Sequence, residues 1–250
     1  MQDALFEAEE KLQQVQKDFE RMKDEFQDFI YVVSHDLRGP LRHASGFGEM
    51  LLDMNESVLD EKSKKFLNII IDSAEGGKRS IDSLQKYSRL IFNVQAPEDN
   101  INPNGILDDI AASMNTLVPE NFQATIQYQD LPLIRGDAAQ LTQLFECLVQ
   151  NALRYHVGDK PIVISVDCED QKKAWHFSIS DNGIGVPNGQ LDYVFGVFKR
   201  AVKDADYPGE GMGLAMAKKI VERHRGEVWF TPEVAEGAKI NFTIAKGLQD

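Results

Sequence analysis

Leu5, Ala8, Leu12, Val15, Phe19, Met22, Phe26, Phe29 and Val33 follow one another in alternating steps of three and four. An apolar residue every 3.5 positions does not suit a strand. On a helix it leaves a narrow stripe that another helix must cover. Residues 1–30 are therefore expected to be a coiled-coil helix. A lone amphipathic helix on a globular core is the simpler alternative, but a self-dimer satisfies the seam directly.

The rhythm then changes. Val33, Leu37 and Leu41 are four apart, a departure that locally unwinds a left-handed supercoil. Pro40 lies in the same stretch and cannot bond the carbonyl of Asp36, so the helix should bend there without ending. Asn55-Glu56-Ser57 reads as a turn, and Asp60 as the N-cap of a second helix. That helix carries Phe66, Ile70, Ala74, Gly77, Ile81, Leu84 and Ile91 at helical spacing. Residues 31–94 thus form a helical hairpin, and two copies make a four-helix bundle. Folding about residue 57 sets His35 level with about residue 79, beside Gly76-Gly77, where the helix should be softest.

Residues 95–102 read as a linker. Beyond it, over 103–246, the signals are mixed. Helices are expected near 103–117, 137–155 and 212–224, and strands near 124–129, 162–166, 175–180, 227–230 and 240–244. The expected form is a sheet with helices on one face. Between Asp181 and Gly213 runs a long Gly-rich stretch, and long loops in compact domains are usually functional. The net charge of −13 disfavours a nucleic-acid backbone or an anionic membrane as partner. No apolar run approaches the roughly 18 residues that span a bilayer. Two cysteines make neither a disulfide framework nor a four-Cys metal site. A cytoplasmic protein is expected.

Four constellations carry chemistry. In Ser34-His35-Asp36-Leu37-Arg38, a helix burying Val33, Leu37 and Leu41 turns His35 outward. A carboxylate beside an exposed imidazole can hold one tautomer and leave the other nitrogen nucleophilic. Alone, this is an ordinary surface histidine, as His43 is. On the amphipathic helix around Leu144–Tyr155, Asn151 offers an amide oxygen of the hard kind that Mg²⁺ accepts. Asp181-Asn182-Gly183-Ile184-Gly185 follows a strand, and its carboxylate could accept from an exocyclic amine. Gly209-Glu210-Gly211-Met212-Gly213 opens a helix, and its backbone N–H groups make an anion site.

In this order and spacing, with Val194-Phe195-Gly196-Val197-Phe198-Lys199-Arg200 between the two glycine boxes, the chain resembles the kinase core of a two-component sensor histidine kinase. The likeness runs from about residue 25 to 246. The stretch from Tyr207 to Trp229 is most like phytochrome-type and PAS-linked kinases. The fold implied is α plus α/β: an N-terminal coiled coil and dimeric four-helix bundle, then an α/β sandwich ATP-binding domain shared with DNA gyrase. The resemblance implies that His35 is the phosphoacceptor and Asp36 the acid that activates it. It implies that Asn151 binds Mg²⁺ carried by ATP. Arg154, Tyr155 and Asp181 would line the nucleotide site, and Gly183 and Gly185 would shape the adenine pocket. Arg200 would approach the γ-phosphate. Gly209, Gly211 and Gly213 would hinge a lid.

The implied reaction is autophosphorylation of His35, then transfer to an aspartate in the receiver domain of a response regulator. The implied assembly is a homodimer, with no sensor domain in this chain, no nucleic acid and no membrane insertion. Three positions depart from the family's pattern. Cys147 stands where an Asn is usual, Glu210 where Thr or Ser is usual, and Gly39 where Thr or Asn is usual. The first two motivate an alternative, a degenerate kinase acting as a dimeric signalling scaffold. Gly39 bears on hydrolysis of the phosphorylated regulator.

Overall fold

The computed structural model describes residues 2–55, 57–92, 96–114, 123–158, 160–202, 207 and 209–247. The side chains of Leu5 and Ala8, and residues Glu56, Gln95 and Pro208, lie outside the described set. The chain divides into two compact units, residues 1–93 and 94–250.

The first unit is a helical hairpin. Helix α1 spans Gln2–Met54 and runs through Pro40 without interruption. Helix α2 spans Glu61–Phe92. Asp60 caps it as expected, its carboxylate accepting from the Ser63 amide at 2.8 Å. The bond holds that carboxyl below its ordinary range, the Ser63 side chain acting first and its backbone second. The register differs from the sequence expectation. Arg38 reaches Asp82 and Gln85, Leu41 packs on Gly77, Ile71 fills the space beside Gly48, and Phe26 meets the Phe92 ring at 5.6 Å. The amides of Val58 and Leu59 bond the Asn55 carbonyl, and with these pairings the chain reverses nearer Leu59 and Asp60 than residue 57. The turn of α1 that carries His35 therefore lies level with α2 beyond Asp82, and Gly76-Gly77 lie closer to the hairpin's tip.

The buried face of α1 also differs. Ile30, Ser34, Ser45 and Gly48 are buried, and Leu41 is half-buried; on α2 the buried set includes Ala74, Ile81 and Ser88 at heptad spacing. Leu37, expected inside, is 49% exposed. It continues the line of Leu12, Val15, Phe19, Met22 and Phe29, all exposed within this chain. Helix α1 thus has two apolar faces, one covered by α2 and one open.

The second unit pairs a mixed sheet with helices. Strands β1 (Glu98–Ile101) and β3 (Ile134–Gly136) form an antiparallel pair. Strands β2 (Ala124–Tyr128), β4 (Ile162–Gln171), β5 (Ala174–Asp181), β6 (Val228–Phe230) and β7 (Lys239–Ala245) form a five-stranded sheet in the order β2-β4-β5-β7-β6. Only β2 and β4 run parallel; the other neighbours are antiparallel. Helices α3 (Pro103–Met114), α4 (Ala138–Arg154) and α5 (Gly213–Arg223) complete the unit. Phe145 of α4 meets Phe177 and Phe242 edge-on at 5.8 and 5.9 Å, and those two rings stack on adjacent strands. Strand periodicity explains the layer: Phe177 and Ile179 of β5 share a face with Ile240, Phe242 and Ile244 of β7.

Strand β1 lies within the stretch read as linker, and β3 was not expected at all. Their partners are each other, more than thirty residues apart in the chain. None of the described helices is long and apolar enough to cross a membrane.

Candidate phosphoacceptor and nucleotide sites

On α1, His35 is 75% exposed and Asp36 72%. The Asp36 carboxylate lies 3.2 Å from Nδ1 of His35. A carboxylate accepts only, so this contact selects the tautomer with the proton on Nδ1 and the lone pair on Nε2. An exposed nitrogen with its lone pair outward is a nucleophile in reach of an incoming electrophile. A Cβ built on Gly39 meets nothing within 4 Å.

In the second unit, several predicted residues converge at the C-terminal end of α4. Asp137 caps the other end, its carboxylate accepting from the Gln140 amide, and His224 fixes that cap by accepting from the Asp137 amide at 3.1 Å. His224 donates from Nδ1 to the Ile220 carbonyl, and burial pushes its pKa below the ordinary value. The helix thus begins at a fixed point. It ends at Tyr155, whose carbonyl accepts from the Ile184 amide at 2.9 Å. That bond ties the turn 181–185 to α4. A Cβ on Gly183 would overlap the same carbonyl, so only glycine fits there.

Asp181 closes β5. Its Oδ1 accepts from the amides of Gly183 at 2.8 Å and Ala238 at 3.2 Å. Burial raises its pKa, and those two bonds oppose the rise. Gly185 has φ +75° and lies against Gly237, where φ is +69° and a Cβ would overlap the Asp181 carbonyl. Gly237 and Ala238 escaped sequence reading. Glu236-Gly237-Ala238 just before the last strand was the available signal, but nothing local says that this backbone meets Asp181.

Asn151 is half-buried one turn before Tyr155, and its amide is engaged by no partner among the described residues. A free amide oxygen at this position fits one ligand place on a Mg²⁺ brought by a nucleotide, an ion that keeps most of its other oxygens from water and phosphate. The described residues contain no cluster of three His, Cys, Asp or Glu that could hold a metal ion.

Arg154 lies against Gly209, where a Cβ would sit 2.6 Å from its Nη1. Arg200 donates to the carbonyls of Gly209, at 2.9 Å, and Tyr207. The Tyr207 ring in turn meets that of Tyr155 at 5.4 Å, tilted by 51°, and its hydroxyl donates to the His156 carbonyl. Gly211 has φ +69° and lies against the Lys199 carbonyl. Arg200, expected at a γ-phosphate, binds the two carbonyls at the start of the glycine loop. Gly213 starts α5, and no side chain caps that helix, which leaves its first N–H groups for an anion. The role of Tyr207, like those of Gly237 and Ala238, escaped sequence reading. A cavity of about 600 Å³ adjoins the turn after Asp181, lined by Gly183, Ile184, Gly185 and Val186 and extending to the β6–β7 turn. Asp181, Arg154, Tyr155, Arg200 and Gly209 are therefore linked through one contiguous set of contacts around α4, with Asn151 one turn before Tyr155 on the same helix. His35 and Asp36 belong to the other unit.

Residues 27–91 match the family described as His Kinase A (phospho-acceptor) domain. Residues 136–248 match the family of histidine kinase-, DNA gyrase B- and HSP90-like ATPases. The chain is 31% identical over 243 residues to the phytochrome-like protein Cph1 of Synechocystis, covering 97% of this chain and 32% of that protein. It is 33% identical over 244 residues to cyanobacterial phytochrome A of Nostoc, covering 97% and 31%. The chain thus spans about a third of the length of these relatives. The crystal structure of full-length ShkA in complex with AMPPNP superposes with a TM-score of 0.60 at 20% identity, over 88% of this chain and 46% of that one. The histidine kinase AdeS of Acinetobacter baumannii gives 0.54 at 18% identity, over 85% and 98%. At these identities the structures attest the fold.

Proposed function

The chain belongs to the two-component sensor histidine kinases, and from that membership we propose that it phosphorylates itself on His35 with ATP and passes the phosphoryl group to an aspartate of a separate response regulator. The observation that carries this reading is the His35–Asp36 contact on an exposed helix face. Nε2 attacks the γ-phosphorus in line, a P–N bond forms, the P–O bond to the β-phosphate breaks, and ADP leaves. Asp36 holds the Nδ1 proton and stabilises the cationic ring as it forms. Asp181, buried and anchored through Oδ1, would accept from the adenine amine. Asn151 would hold Mg²⁺, which offsets phosphate charge. The uncapped start of α5 would face the phosphates, and Arg200 would keep the glycine loop in place.

The open face of α1 supports a homodimer. Its large apolar residues at heptad spacing match a second copy of the same seam. Phe19→Glu with Phe26→Glu should weaken the dimer, as read by sedimentation. Labelled ATP with Mg²⁺ tests the main reading. Acid-labile label that disappears in His35→Gln is the expected result. A folded protein that takes no label would instead be the scaffold that Cys147 and Glu210 motivate.

A further inference from the structure

One polar tie crosses the hairpin close to the phosphoacceptor. Arg38, one turn after His35, donates to Asp82 Oδ1 at 2.6 Å from Nη2 and at 3.3 Å from Nε, and the same Nη2 reaches Gln85 Oε1 at 2.6 Å. Asp82 and Gln85 sit three apart on α2, so one planar guanidinium bridges two successive positions of the facing helix. Both partners are substantially solvent-exposed, 44% for Arg38 and 55% for Asp82, and exposed pairs of this kind add little to stability. Their geometry is more specific than their energy. A guanidinium fixed at two points sets how α1 is rotated about its axis against α2, and His35 turns with it.

A second tie gives the comparison. Seven residues along α1 from Arg38, the buried Ser45, whose hydroxyl donates to the Arg42 carbonyl, lies beside Glu75 and, after Lys78, helps hold its carboxyl below the ordinary range; Glu75 lies seven residues from Asp82 on α2. This contact links the same two helices at the same heptad phase, two turns further from His35.

We propose that Arg38 is a positioning residue for phosphoryl transfer: through Asp82 and Gln85 it fixes the rotation at which His35 presents Nε2. The inference rests on the reading of His35 as phosphoacceptor. The Arg38 guanidinium is engaged by Asp82 and Gln85 within the hairpin unit, so its removal should change turnover and leave ATP binding alone.

The test is steady-state autophosphorylation of the full chain. Arg38→Gln and, separately, Asp82→Asn should lower kcat about tenfold or more, the scale expected when a reacting group is displaced by a fraction of an ångström. KM for ATP should stay within about twofold, because the nucleotide residues lie in the other unit. The exchange Arg38→Asp with Asp82→Arg should restore kcat, since the Gln85 amide can donate to the new carboxylate as readily as it accepted. Ser45→Ala, which removes the distant tie, should leave kcat unchanged. Unchanged kcat in Arg38→Gln, failure of the exchange to rescue, or an equal loss in Ser45→Ala would each overturn the proposal while leaving the kinase reading intact. A wild-type protein without label overturns the kinase reading and this inference with it.

Discussion

The hairpin and the sheet unit hold their functional groups by opposite means. His35 stands on one helix with one side chain, Asp36, engaging its ring. Asp181 is placed by three segments at once: the strand it ends, the turn through Gly183, and the loop at Gly237 and Ala238. In the hairpin the spaces around the functional residue are open, and orientation comes from how one helix is turned. In the sheet unit backbone meets backbone, and several positions have no room for a methyl group. The first arrangement tolerates substitution and is controlled by rotation. The second is rigid and fails on a single added carbon.

The largest effect should come from testing that contrast directly. Gly237→Ala places a Cβ onto the Asp181 carbonyl at a φ of +69°. It should abolish nucleotide binding and cost the sheet unit about 2–4 kcal/mol. In α1, Gly39→Ala meets nothing within 4 Å and should stabilise by about 1 kcal/mol. Thermal unfolding and calorimetric titration with ADP read both. Normal ADP binding by Gly237→Ala would remove the contrast.

Asp181→Asn sharpens the comparison from the electrostatic side. Asn keeps an oxygen for the amides of Gly183 and Ala238 but offers adenine a donor where an acceptor is needed. Nucleotide affinity should fall about a hundredfold, while the empty unit becomes more stable. The sign follows from the raised pKa of Asp181. The folded state holds that proton more tightly than the unfolded chain, whose value is near 3.8. The group's contribution is fully present below that value and is lost as pH rises through the folded pKa, so the ionised carboxylate destabilises the fold at neutral pH. The Asn variant should lose this slope in unfolding experiments run across acidic pH.

A smaller effect is expected at Gly39. A side chain one turn after the phosphoacceptor lies on the same face and could orient a hydrolytic water. Glycine supplies none, so the chain should be kinase-competent and phosphatase-poor. Regulator bearing labelled phosphate, mixed with this protein without ATP, should decay at its own rate, and Gly39→Thr should hasten the decay severalfold. Wild-type protein that already accelerates hydrolysis, with no label returning to His35, would show that another group positions the water. The smallest effect concerns Glu210, whose charge beside a triphosphate costs about 1 kcal/mol under surface-like screening. Glu210→Thr should lower KM for ATP, and an unchanged constant would mean that the carboxylate points elsewhere.

Legibility in the sequence followed the range of the interactions concerned. The long helices, the five strands of the sheet and the Asp60 cap are written in periodicity or in neighbours three residues apart, and each appears where the pattern put it. Strands β1 and β3 have four and three residues, too few to show a period, and exist because they pair with each other. The hairpin register depended on where a short turn closes, and an error of a few residues there moved Gly76-Gly77 away from His35. The motif residues were readable as types, whereas their supports were not. Gly237, Tyr207 and His224 matter because distant backbone passes close by, and no local pattern encodes that approach.

Helix α1 has one more property, which belongs to mechanics. With 53 residues it is about 80 Å long. Helix α2 ends at Phe92, level with Phe26, so the part of α1 before Phe26 projects past its own hairpin. That projecting part is a handle. Every backbone hydrogen bond along the helix resists twisting, so a small turn applied to the handle arrives at residue 35 as a turn. Arg38 is where the second helix grips the shaft, just beyond the point at which the twist is used.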